Sequence, residues 1–117
     1  MMYNKGTIKQ KGSIYMAVLK ITKDNFAEIR NSEKPVLLDF YADWCGPCRM
    51  VSPLVDEIAE EHTEFTVGKV NVDDQPELAA AFGVSSIPML AVLKNGAITA
   101  QAVGARPKSA ILDMLNS

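Results

Sequence analysis

The chain has 117 residues, 48% hydrophobic and 22% charged, with a formal net charge of −2, enough for one domain with its own core and too little for two. The charge is uneven, +3 in the first fifteen residues against −5 in the rest, so the body carries no basic footprint for nucleic acid. No apolar stretch approaches the roughly 20 residues that cross a bilayer, and no membrane partner is expected.

The opening "MMYNKGTIKQKGSIY" is polar and basic, has no hydrophobic period, and predicts a flexible N-terminal extension over residues 1–15. The domain then occupies 16–117, with Met16 a natural start. "IYMAVL" is shorter than the core of a secretory signal, and no small-residue cleavage site follows it. Two cysteines in such a chain do not suggest a secreted disulfide scaffold, so the cytoplasm is the default location.

"AVLKIT" (17–22) predicts a short strand. "TKDNFAEIRNSEK" (22–34) predicts a short helix, with Thr22 and Asp24 as start signals and Phe26 and Ile29 on one face. "PVLLDFYA" (35–42) is a continuous apolar run, the pattern of a strand buried on both faces. "PCRMVSPLVDEIAEEH" (47–62) places Met50, Leu54 and Ile58 at spacing four with Val51 and Val55 beside them, which predicts an amphipathic helix kinked at Pro53. "EFTVGKVNVD" (64–73) reads as another buried strand. "QPELAAAFG" (75–83) reads as a short helix with Pro76 near its start and Gly83 at its C-cap. In "IPMLAVLKNGAITAQAVG" (87–104) the Asn95-Gly96 pair predicts a hairpin between two strands. "RPKSAILDMLNS" (106–117) closes with a helix facing inward through Ile111, Leu112 and Leu115. The order β-α-β-α-β-α-β-β-α implies an α/β fold: parallel strands with helical crossovers, then an antiparallel hairpin at the edge.

Cys45 and Cys48 are the only cysteines, and three uses compete for them. Structural zinc needs four ligands, and the chain offers two cysteines and His62, which sits in the acidic "EEHTE"; no metal is expected. A structural staple between residues three apart constrains little. A redox centre fits the position. Cys45 falls just before a helix, where unpaired N–H groups and the positive dipole end favour a thiolate. Pro47 suits the first turn. Cys45 is then the nucleophile, exposed, and Cys48 the shielded partner that resolves a mixed disulfide.

"DFYADWCGPCRMVSPLVDEIA", "VGKVNVDDQP", "FGVSSIPML", "LKNG" and "VGARPK", in this order and spacing, resemble the thioredoxin family from about Val18 to Leu115. The resemblance implies the thioredoxin fold, a central mixed five-stranded sheet flanked by helices. It implies a protein-disulfide reductase in which Cys45 attacks and Cys48 resolves. Trp44, Gly46 and Pro47 match the loop that meets the substrate. Pro88 matches a proline that is cis in the family, so that Ile87-Pro88 would offer backbone to an extended substrate. Val72, Ile87, Val103, Gly104 and Ala105 match the apolar rim of the groove. Asp39 matches an acid that exchanges protons with the second cysteine, and a carboxylate in a central strand is held near neutral by desolvation. Lys69 matches its usual partner, although a snorkelling surface lysine fits the pattern equally.

The resemblance further implies no bound cofactor beyond a reversible Cys45–Cys48 disulfide, a monomer, and two kinds of partner: thioredoxin reductase and disulfide-containing client proteins. Tyr41, Met89 and Ser85-Ser86 depart from the residues usual in the family and bear on groove shape and partner choice. Two alternatives keep the fold. An oxidant or isomerase is disfavoured by the lack of a histidine between the cysteines, and a partner-binding module is disfavoured by the intact cysteine pair.

Overall fold

A computed structural model describes residues 17–117; the N-terminal extension expected over residues 1–15 lies outside them. The elements are β1 (Val18–Lys20), α1 (Phe26–Arg30), β2 (Val36–Tyr41), α2 (Gly46–Glu61), β3 (Thr66–Asn71), α3 (Pro76–Ala81), β4 (Met89–Lys94), β5 (Ala97–Val103) and α4 (Lys108–Asn116). They form a five-stranded sheet in the order β1-β3-β2-β4-β5. β1, β3 and β2 run parallel, and β4 and β5 are antiparallel to their neighbours. The mixed sheet is the one the element order implies. Among the described residues no helix is long and apolar enough to cross a membrane.

The middle strand, β2, explains its own composition. Its residues point alternately to the two faces, and both faces are covered. Leu37 packs with Val51, Val55 and Ile58 of α2 and Ile111 and Leu115 of α4. Leu38 and Phe40 pack on the other side with Leu78 of α3 and with Phe26 and Ile29 of α1. A strand covered twice has no polar face to show, hence the unbroken apolar run. Asp39 shares the face of Leu37 and is the sole buried charged side chain among the described residues.

The turns follow their residues. Asn95 and Gly96 adopt φ 54° and 81°, the pair of positive angles a tight two-residue hairpin turn requires. α3 ends at Ala81 with Phe82 as its C-cap, one residue before the expected cap. Gly83 follows at φ 66°, and the Gly83 and Val84 N–H groups donate back to Ala80 O (3.0 Å) and Ala79 O (2.9 Å), a Schellman closure.

Two expectations need correction. Thr22 and Asp24 do not start α1. They build the turn before it: Thr22 N–H donates to Asn25 Oδ1 at 2.8 Å, and Asp24 N–H to Thr22 Oγ1 at 3.2 Å. The side chains of Thr22 and Asn25 serve the turn, so the helix begins after Asn25. On α2, Met50 is not on the buried face; it is 69% exposed while Val51 and Val55 are fully buried. Adjacent rows of the helix carry similar apolar residues, and the sheet takes the row through Cys48, Val51, Val55 and Ile58. α2 runs on as one element through Pro53, which is exposed.

Candidate active site

β2 ends at Tyr41, and Ala42 O accepts from Cys45 N–H at 3.2 Å, a turn that delivers Cys45 to the N-cap of α2. Gly46 and Pro47 follow as the first helical residues, where Pro47 has no hydrogen bond to lose. Cys48 then comes round on the first turn, and its N–H donates to Cys45 Sγ at 3.2 Å. The two cysteines are joined in a disulfide, with their Cα atoms 5.3 Å apart. The sulfur at the N-cap thus takes the place a capping oxygen usually holds.

The exposure expected for Cys45 is not met in this disulfide form. Cys45 is 4% and Cys48 3% exposed, in a small cluster with Ala42 on which Tyr41, Val72 and Ile87 pack. What stands open is the ring of residues around them. Trp44 is 68% exposed, and its indole N–H donates to Asp73 Oδ2 at 2.9 Å. Asp73 is itself set by its N–H bond to Asn71 Oδ1, 2.9 Å. Arg49 Nη2 donates to Asp43 O at 2.8 Å and holds the turn from the helix side.

The Ile87-Pro88 bond is cis, and Cys45 Sγ lies 3.9 Å from the Ile87 carbonyl oxygen. Pro88 O accepts from Gly104 N–H at 2.8 Å, which ties the end of β5 to the approach to β4. Gly104 takes φ 97° there, a conformation that favours glycine. Of the rim residues, Trp44, Val72 and Ile87 line one hollow with Ala79, Val84, Ser85 and Ser86. Val103 is exposed and opposes Met89 across the hairpin. Ala105 borders a different hollow, with Met50, Val51, Leu54, Arg106 and Pro107.

Asp39 is 1% exposed, and neither carboxylate oxygen has a hydrogen-bond partner. Burial pushes its pKa up to about 6, against the pull of the Lys69 ammonium and with a further push from the Asp56 carboxylate. Lys69 is its register neighbour on β3, yet its Nζ donates to Ser52 Oγ (2.5 Å) and Asp56 Oδ1 (2.7 Å) instead. It acts on Asp39 through space. Asp73, Ser52 and Asp56 are site residues that sequence reasoning misses. Ser52 and Asp56 follow Cys48 by one and two helical turns, a spacing that signals them. Nothing in the sequence pairs Trp44 with Asp73.

His62, at the far end of α2, meets Glu64 Oε2 at 3.1 Å. Among the described residues no group of three or more His, Cys, Asp or Glu side chains could hold a metal ion. The Cys45–Cys48 disulfide equips the site for exchange between sulfurs.

The Thioredoxin family model matches residues 17–117. The thioredoxin of Pyropia yezoensis is 50% identical over 103 residues, 86% of this chain and 96% of that one. The thioredoxin of Mycobacterium tuberculosis is 48% identical over 102 residues, 86% of this chain and 88% of that one. Among solved structures, an asparagine-to-glutamine mutant of thioredoxin from Halobacterium salinarum NRC-1 superposes with a TM-score of 0.79 at 35% identity, covering 85% of this chain and 88% of that one. A disulfide capping a helix on a mixed sheet, matched along the domain by these proteins, marks a thiol-disulfide oxidoreductase. The chain belongs to the thioredoxin family.

Proposed function

We propose that the chain reduces protein disulfides, with Cys45 as the attacking and Cys48 as the resolving thiol. The observation that carries this reading is Cys45 Sγ at the N-cap of α2, accepting the Cys48 N–H. Once reduced, a thiolate there keeps that donor and the positive end of a 16-residue helix, both of which stabilise the nucleophilic form.

The Cys45 thiolate attacks one sulfur of a client disulfide; a Cys45–client bond forms, the client S–S bond breaks, and one client thiolate leaves. Cys48 gives its proton to Asp39, and its thiolate attacks Cys45 Sγ. The Cys45–Cys48 disulfide forms and the second client thiolate leaves. The client gains two electrons, and a thioredoxin reductase returns two to this chain. Asp39 suits the proton step because it is buried and no protein donor occupies its oxygens; Lys69 tunes it from the next strand.

Clients would lie across Trp44, Gly46 and Pro47 and along the backbone of Ile87 and Pro88, against Val72, Val103, Gly104 and Ala105. The exposed apolar side chains of Trp44 and Val103 beside the covered sulfurs support this placement. A reducing compartment such as the cytoplasm suits the cycle, and so does a monomer that leaves this ring free.

The order of attack is tested by trapping. Cys48→Ser should accumulate mixed disulfides with client proteins, resolvable by dithiothreitol on a non-reducing gel, and Cys45→Ser should accumulate none. The opposite pattern would assign the nucleophile to Cys48.

A further inference from the structure

Cys48, Ser52 and Asp56 stand at successive turns of α2 and share one face of the helix. On that face the Lys69 ammonium is held between Ser52 Oγ and Asp56 Oδ1. The two acceptors are unequal. Ser52 is half-buried, whereas the Asp56 side chain is 51% exposed. Ser52 is the inner hold on the ammonium and Asp56 the outer one. Neither oxygen of Asp39 meets a protein hydrogen-bond donor, so the protein's charges reach that carboxylate through space. The charged groups acting on it are Lys69 from β3 and Asp56 from α2. Its β4 neighbour, Leu90, is apolar, and Cys48 is tied up in the disulfide.

We propose that Ser52 and Asp56 are positioning residues for Asp39: the serine hydroxyl keeps the Lys69 ammonium near the buried carboxylate, and the aspartate offsets its charge. The consequence for catalysis rests on the reading of Asp39 as proton acceptor; the clamp itself rests on the two hydrogen bonds. A nearby cation favours the ionised carboxylate, and a nearby anion disfavours it. The two residues therefore act in opposite senses. In Ser52→Ala the ammonium follows Asp56 outward, and Asp39 titrates at higher pH. In Asp56→Asn the ammonium keeps its inner hold and the opposing anion is gone, so Asp39 titrates at lower pH. Ser52→Thr keeps the hydroxyl and leaves Asp39 unchanged.

The test follows the side-chain carboxyl carbon of Asp39 by NMR through a pH titration of the full-length oxidised protein, in which neither cysteine titrates. Wild type and the three variants are compared, with the pH profile of insulin reduction measured on each. The expected displacement is about half a pH unit upward for S52A and downward for D56N, a fraction of the roughly 1–3 units a close opposite charge supplies. S52T should overlay the wild type. Any other pattern at Asp39, including two variants moving the same way or neither moving, overturns the clamp. If Asp39 moves as expected while the rate profiles stay fixed, the clamp stands and the proton-acceptor role of Asp39 falls.

Discussion

Asp39, through its burial, makes the stability of the domain depend on pH. Its folded pKa of about 6 lies above the ordinary 3.8, because a buried carboxylate loses its water and Lys69 replaces that loss only in part. Below pH 3.8 the acid is protonated in both folded and unfolded chains and costs nothing. As pH rises further the unfolded chain ionises first, and stability falls until the folded group ionises as well, near pH 6. Above that the penalty is constant, about 3 kcal/mol at about 1.4 kcal/mol per pH unit, which cancels the burial of roughly one large aliphatic side chain. Asp39→Asn removes the charge at similar size. It should raise the urea midpoint of the oxidised protein at pH 8, by up to about 3 kcal/mol in stability, and leave it nearly unchanged at pH 3. A variant that is less stable at pH 8 would show that Asp39 carries no buried-charge penalty. The placement of Asp39 was legible because a lone acid interrupts an apolar strand. The clamp on Lys69 was not, because a lysine alternating with buried residues reads equally as a partner of Asp39 or as a snorkelling side chain. Only the packing of α2 over β3 decides between them.

Where β1, β3 and β2 run side by side, β3 leaves no room for a side chain at one position. Gly68 pairs with Leu19 on one side and Leu38 on the other, and a Cβ at this position would overlap the buried side chain of Ile21. Ile21 is 1% exposed and belongs to the buried cluster with Val36, Leu38, Phe40 and Val70. Gly68→Ala should therefore destabilise the fold by about 1–3 kcal/mol, read as a lower denaturant midpoint with an unchanged slope. An unchanged midpoint would mean that β1 and Ile21 shift freely. Periodicity revealed the order and type of the elements, since a strand covered on both faces and a hairpin closed by Asn-Gly each have a distinct pattern. It was weaker at boundaries and faces. Thr22 and Asp24 carry the chemistry of a helix start and also that of a turn. The row through Met50 on α2 is as apolar as the row through Val51, and the sheet beneath takes the second.

At the scale of the whole molecule, the redox pair sits beside the two cores rather than inside either. One core lies between the sheet and α2 with α4, the other between the sheet and α1 with α3, and the cysteines form their own small cluster at the sheet's end. A bridge across one helical turn closes so short a loop that its stabilisation is about 2 kcal/mol, small beside two cores. The disulfide can open and close while the fold persists, as a cycling reductant requires. The cis Ile87-Pro88 bond and the cysteine cluster come together from segments 42 residues apart, a proximity that family resemblance supplied and local pattern did not. The most direct measurement is turnover of insulin disulfides by the full chain, with electrons supplied by a thioredoxin reductase and its nicotinamide cofactor. Sustained reduction by the wild type and complete loss in Cys45→Ser are predicted. A Cys45→Ser variant that turns over at the wild-type rate, or a wild type no faster than the mixture without it, would contradict the account.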